Sequence, residues 1–76
     1  MSATEPCATF TRYTVNDLTR EARAAARSHA TREGHGRPFA IRWTLLVHQR
    51  GASLAVHYCA IPPEGHEITV SITVAI

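Results

Sequence analysis

Arg37–Ile61 reads RPFAIRWTLLVHQRGASLAVHYCAI. In steps of two, Phe39, Ile41, Trp43, Leu45 and Val47 set large apolar side chains on one face, and Leu54, Val56 and Tyr58 resume the alternation after Arg50-Gly51. Period-two alternation on either side of a Gly-containing turn predicts a β-hairpin with one apolar face. With Arg50-Gly51 as the turn, Val47 pairs with Leu54, Leu45 with Val56 and Trp43 with Tyr58, so each large side chain meets another across the strands. That register puts Trp43 in the core.

Downstream, Pro62-Pro63-Glu64-Gly65-His66 marks a second turn, and Ile68, Val70, Ile72, Val74 and Ile76 alternate with Thr69, Ser71, Thr73 and Ala75. Pairing Ile61 with Glu67 sets Ala60 against Ile68, Tyr58 against Val70, Val56 against Ile72 and Leu54 against Val74. All apolar residues then share one face of an antiparallel meander.

Upstream, Asn16-Asp17 supplies a capping side chain and an acidic first turn, and neither Gly nor Pro follows until Gly34. This predicts a helix from Asp17 to Glu33. Its inner face carries Leu18, Ala22, Ala25, Ala26 and His29, with His29 at the rim of the core, and Arg20, Arg23 and Arg27 gather opposite. Gly34 suits the left-handed position after the helix, and Pro38 prevents continuation. Gly34-His35-Gly36 is not a phosphate loop, because it follows a helix C-terminus, where the dipole repels anions. Thr9–Val15 (TFTRYTV) is β-branched and aromatic and reads as a first strand, and residues 1–8 read as a flexible tail.

The expected fold is α+β, a single small domain over residues 9–76 with the order β-α-β-β-β. One helix packs on one face of a mostly antiparallel four-stranded sheet. A right-handed crossover places the first strand outside the meander. A chain of 76 residues holds one domain with a small core, which favours a homodimer sharing a sheet edge or face.

The net charge is +2, and all eight basic residues are Arg. The balance is too small for a general polyanion binder, whereas the planar guanidinium fork suits carboxylates and phosphates. The sequence shows neither a signal peptide nor an apolar run long enough to span a membrane, so a cytoplasmic protein is expected. Cys7 and Cys59 read as free thiols.

The uncovered sheet face is expected to carry Arg42, Thr44, Leu46, His48, Ala55, His57, Cys59, Thr69, Ser71 and Thr73, mostly short side chains suited to water. His57 and Cys59 share that face, but no paired ligand spacing accompanies them, so no metal or cofactor site is expected. A Cys-His nucleophile would also need an orienting third group and a cleft, and the expectation is a protein without catalytic residues. The base-reading motifs of sequence-specific nucleic-acid binders are missing. Candidate partner-binding residues are Arg20, Arg23, Arg27, Arg42 and His57, directed at an acidic protein surface or a nucleoprotein complex rather than a small molecule or a membrane.

Over Thr9–Ile76, with the Arg-bearing segment REARAAAR at 20–27, the chain resembles the small anti-CRISPR proteins encoded by bacteriophages. The likeness lies in the architecture, and no family motif is matched residue by residue. It implies a non-enzymatic inhibitor in the host cytoplasm that binds a CRISPR-Cas surveillance complex and blocks target-DNA recognition or nuclease recruitment. The basic charge does not fit DNA mimicry. A nucleic-acid-binding module or a dimeric antitoxin-like regulator using the Arg-rich helix is the alternative.

Overall fold

The computed structural model describes residues 13–76, which form an α+β domain with one helix and a three-stranded antiparallel sheet. In chain order these are α1 (Val15–Glu33), β1 (Phe39–His48), β2 (Gly51–Ala60) and β3 (Ile68–Ala75), with sheet order β1-β2-β3. The expected tail and most of the expected first strand lie outside the described residues. Of that strand, Thr14 caps the helix and Val15 opens it.

The helix begins two residues before the expected Asp17, because Thr14 rather than Asn16 supplies the cap. The Asp17 N–H donates to Thr14 Oγ1 at 3.1 Å, and the Thr14 N–H donates to Asp17 Oδ2 at 3.0 Å. This reciprocal box satisfies two backbone donors that a bare helix start leaves without partners. At the other end Gly34 takes φ 69°, and the His35 N–H reaches the Ala30 carbonyl at 2.9 Å.

In the first hairpin the register differs from expectation by two residues. Val47 pairs with Ala52, Leu45 with Leu54 and Trp43 with Val56. The turn is Gln49-Arg50, both with negative φ, and Gly51 opens β2 with φ 141°. The primed two-residue turns need positive φ within the turn itself. Here the unusual backbone falls on the glycine that follows. A shift of two keeps every inward side chain inward, since faces alternate with period two.

Near the start of β1 the register slips between Phe39 and Arg42, and Ala40 sits in the slip with φ 53°. This bulge reverses Phe39: it pairs with Cys59 and joins the open face, rather than continuing the row of Ile41, Trp43 and Leu45. The second hairpin has the expected register, including Ala60 with Ile68 and Leu54 with Val74.

The core lies between α1 and β2. Leu18, Ala22, Ala26 and Ala30 repeat every fourth residue and are buried, as are Leu54, Val56, Tyr58 and Ala60. Three alanines bury little area each, but they let the helix approach the sheet closely. Leu54, Val56 and Tyr58 then fill the space, each worth about 1.5–3 kcal/mol on full burial. The helix packs on β1 and β2. Trp43, expected in the core, is only half-buried, with its indole N–H donating to Thr19 Oγ1 at 3.1 Å. Along β3, Ile68, Val70, Ile72 and Val74 are also only partly covered.

Candidate functional site

Four-residue spacing in the buried row of α1 fixes where its arginines point. Arg20, Arg23 and Arg27 are all exposed, and they fall within about 60° of one another on a helix of about 3.6 residues per turn. Asn16, Thr19 and Ala24 join them around a shallow groove of about 430 Å³.

Depressions adjoin this row at both ends. Arg23 also borders a notch of about 360 Å³, shared with Thr19, Ala22, Ile41, Arg42 and Trp43 on the β1 side of the helix. Arg27 also borders an open cleft of about 690 Å³ at the C-terminal end of α1, where Arg37, Pro38, Ile61 and Pro63 contribute. Arg23 and Arg27 are therefore the shared walls of three adjoining depressions, which run from the β1 edge at residues 41–43 past Arg20 to Arg37.

Arg42, the β1 residue among the candidates, stands at the rim of the notch beside Arg23, but its register opposite His57 turns its side chain to the open sheet face, away from the helix row. Arg37 was missed. Its position between the helix-ending glycines and Pro38 was the available signal, because the chain must turn back there toward the helix end. His57 does not join the band. It lies on the open sheet face opposite Ser71, with Nδ1 and Ser71 Oγ 2.8 Å apart.

Electrostatically the band is little compensated. Among the described residues the one ion pair is Arg20 with Asp17, at 3.7 Å, and the Arg20 side chain is 77% exposed. An exposed pair of this kind contributes about 0–1 kcal/mol. Asp17 is also engaged by Thr14: chiefly the backbone N–H, then the side chain, hold its carboxyl below the usual aspartate range. The Coulombic effect of Arg20 is smaller. Arg23, Arg27 and Arg37 are exposed and have no acidic side chain within ion-pair distance among the described residues.

The open sheet face is differently made. Three pairs of its polar groups meet across the strands: His57 with Ser71, His48 Nε2 with Ser53 Oγ at 3.0 Å, and Cys59 Sγ with Thr69 Oγ1 at 3.9 Å. These contacts follow from the register, which puts His57 opposite Ser71 and Cys59 opposite Thr69. Cys59 is a free thiol. Cys7 lies outside the described residues. His29, half-buried at the core's rim, has Nδ1 2.7 Å from Tyr58 Oη and its ring centroid 6.0 Å from that of His35. Burial, and secondarily the Glu33 charge, push the Tyr58 hydroxyl pKa up.

Among the described residues, no three His, Cys, Asp or Glu side chains are grouped to hold a metal ion, and no helix is long and apolar enough to cross a membrane. Compared with protein-family models, curated proteins and solved structures, the chain matches none.

Proposed function

We infer that this chain is a non-catalytic binding protein whose arginine band docks on an acidic surface of a protein or nucleoprotein complex. The observation that carries this reading is the continuity of the band. Arg20, Arg23 and Arg27 of α1 and Arg37 of the segment after it border three adjoining depressions, with one acid partner among the described residues. Folding does not require such an arrangement, since exposed charges on a helix contribute little to stability. A partner presenting carboxylates or phosphates gains several charge-assisted, two-point contacts at once.

The specific form of this reading is an anti-CRISPR role, in which the band engages a CRISPR-Cas surveillance complex and blocks target-DNA recognition or nuclease recruitment. Its support is the architectural resemblance together with the exposed arginine row of α1. The test is to preload a purified, guide-bound surveillance complex with the protein and then measure target-DNA binding and cleavage. Loss of either, reversed by Arg20→Glu with Arg23→Glu and Arg27→Glu, is expected. Unimpaired target binding and cleavage across representative surveillance complexes overturns the anti-CRISPR form. Retention on duplex or single-stranded nucleic acid, falling steeply with salt, would instead identify phosphate backbone as the acidic surface.

A further inference from the structure

The two outer edges of the sheet are built differently. An exposed edge strand is a template for another strand, and proteins guard such edges with charge, proline or bulges. β1 has all three: Arg37 and Pro38 precede it, Arg42 lies within it, and the slip around Ala40 breaks its ladder. β3 has none of them. From Ile68 to Ile76 the chain reads ITVSITVAI, without a charge, a proline or a break in register.

Backbone directions on β3 follow from one hydrogen bond. The Ile76 N–H donates to the Ala52 carbonyl at 3.2 Å, so position 76 points its backbone groups toward β2. In an antiparallel ladder the direction alternates along the strand. Ile68, Val70, Ile72 and Val74 therefore also point inward to β2. Thr69, Ser71, Thr73 and Ala75 point their N–H and C=O groups outward, where no described strand meets them.

We propose that the β3 edge is the pairing surface for a second copy of this chain, joined antiparallel about a two-fold axis at Ile72 into one continuous six-stranded sheet. The occupant follows from the chemistry of the edge. An uncharged, unbroken strand offers nothing to an acidic or basic partner, while a copy of itself is neutral and carries matching outward groups. Closed two-fold symmetry requires the two edges to run antiparallel. With Ile72 opposite its counterpart, Ser71 exchanges backbone hydrogen bonds with Thr73 of the second copy, and Thr69 with Ala75. Val70 then meets Val74, and Ile68 meets Ile76, all on the helix side. These are the side chains that α1 leaves partly uncovered. The arrangement is independent of the arginine band, which lies toward the opposite edge.

The experiment combines sedimentation equilibrium on the full chain with amide hydrogen exchange by NMR. Expected are a mass of twice 8.3 kDa and protection of the Thr69, Ser71, Thr73 and Ala75 amides that falls on dilution. Val70, Ile72 and Val74 stay protected throughout, because their amides bond to β2. Thr73→Pro removes an outward N–H and spares the ladder to β2, as proline is tolerated on an edge strand; a folded monomer is expected. If that variant does not fold, Ser71→Lys with Thr73→Lys places lysines opposite lysines across the axis, and a folded monomer is again expected. A monomeric mass at NMR concentrations overturns the proposal, as does a dimer whose outward β3 amides exchange freely. Protection of those amides at monomeric mass would show another segment of the same chain on the edge, and a folded variant that remains dimeric is equally fatal.

Discussion

Trp43 is the largest apolar side chain of the sequence, yet its truncation should cost less than that of Leu54. Leu54 is 0% exposed at the centre of β2, beneath the alanine face of α1. A fully enclosed Leu→Ala change costs about 3–5 kcal/mol, because the cavity adds to the lost transfer energy. Trp43 lies on an edge strand and is half-buried. Of the roughly 3–5 kcal/mol for an enclosed Trp→Ala change, only about half applies. Its bond to Thr19 adds little, since water can satisfy that partly exposed hydroxyl once the indole is gone. Trp43→Ala should therefore cost about 1.5–3 kcal/mol, which in a domain this small lowers the melting temperature by roughly 10–20 °C. Leu54→Ala consumes all of a stability of only a few kcal/mol and should leave the chain unfolded at 25 °C. Far-UV circular dichroism of both variants at equal protein concentration reads the difference. A folded Leu54→Ala protein beside an unfolded Trp43→Ala protein would refute a core centred on β2.

The helix-sheet distance rests on Ala22, Ala26 and Ala30, all 0% exposed. Ala26→Leu should accordingly destabilise by about 1–3 kcal/mol through overpacking, measurable by urea denaturation. Asp17 has a folded-state pKa depressed chiefly by the Thr14 N–H, so its contribution is present above the unfolded value of about 3.9 and is lost as pH falls through the lower folded value. A carboxyl NMR titration should show the low pKa, and Asp17→Asn should remove that part of the acid dependence. Tyr58 runs the other way: its raised pKa means stability that holds below about pH 10 and is lost as pH rises through the folded value. Tyr58→Phe should flatten that alkaline loss in thermal scans. Cys7→Ser with Cys59→Ser should leave partner binding within a few-fold; loss of binding in that variant would assign the thiols a role.

Much of the sheet was legible because alternation fixes faces even where register is wrong. The second hairpin could be read to the residue, since Pro62 to Gly65 confine the turn and Ile68–Ile76 alternates without interruption. The first hairpin came out two residues off because Gly51 looks like the turn but instead follows it, and the pattern of apolar faces is the same for either register. The bulge at Ala40 had no sequence signal, as alanine is not the residue expected at positive φ. Trp43's exposure depends on where α1 lies across the sheet, which periodicity along each element does not encode. For the same reason the helix arginines could be grouped from their spacing, whereas the place of Arg37 beside Arg27 required the packed structure.

Function through the arginine band is tested most directly by reversing its helix portion. Arg20→Glu, Arg23→Glu and Arg27→Glu change exposed side chains only, and the one ion pair lost contributes about 0–1 kcal/mol. The triple variant should melt within a few degrees of the parent. Its partner binding, measured by calorimetry on the complex recovered with the parent protein, should be abolished. Thr44→Glu with Ser71→Glu places the same kind of charge on the open sheet face and should disturb binding far less. If the helix variant binds normally while the sheet variant does not, the docking surface is the sheet and the assignment of the arginines is wrong.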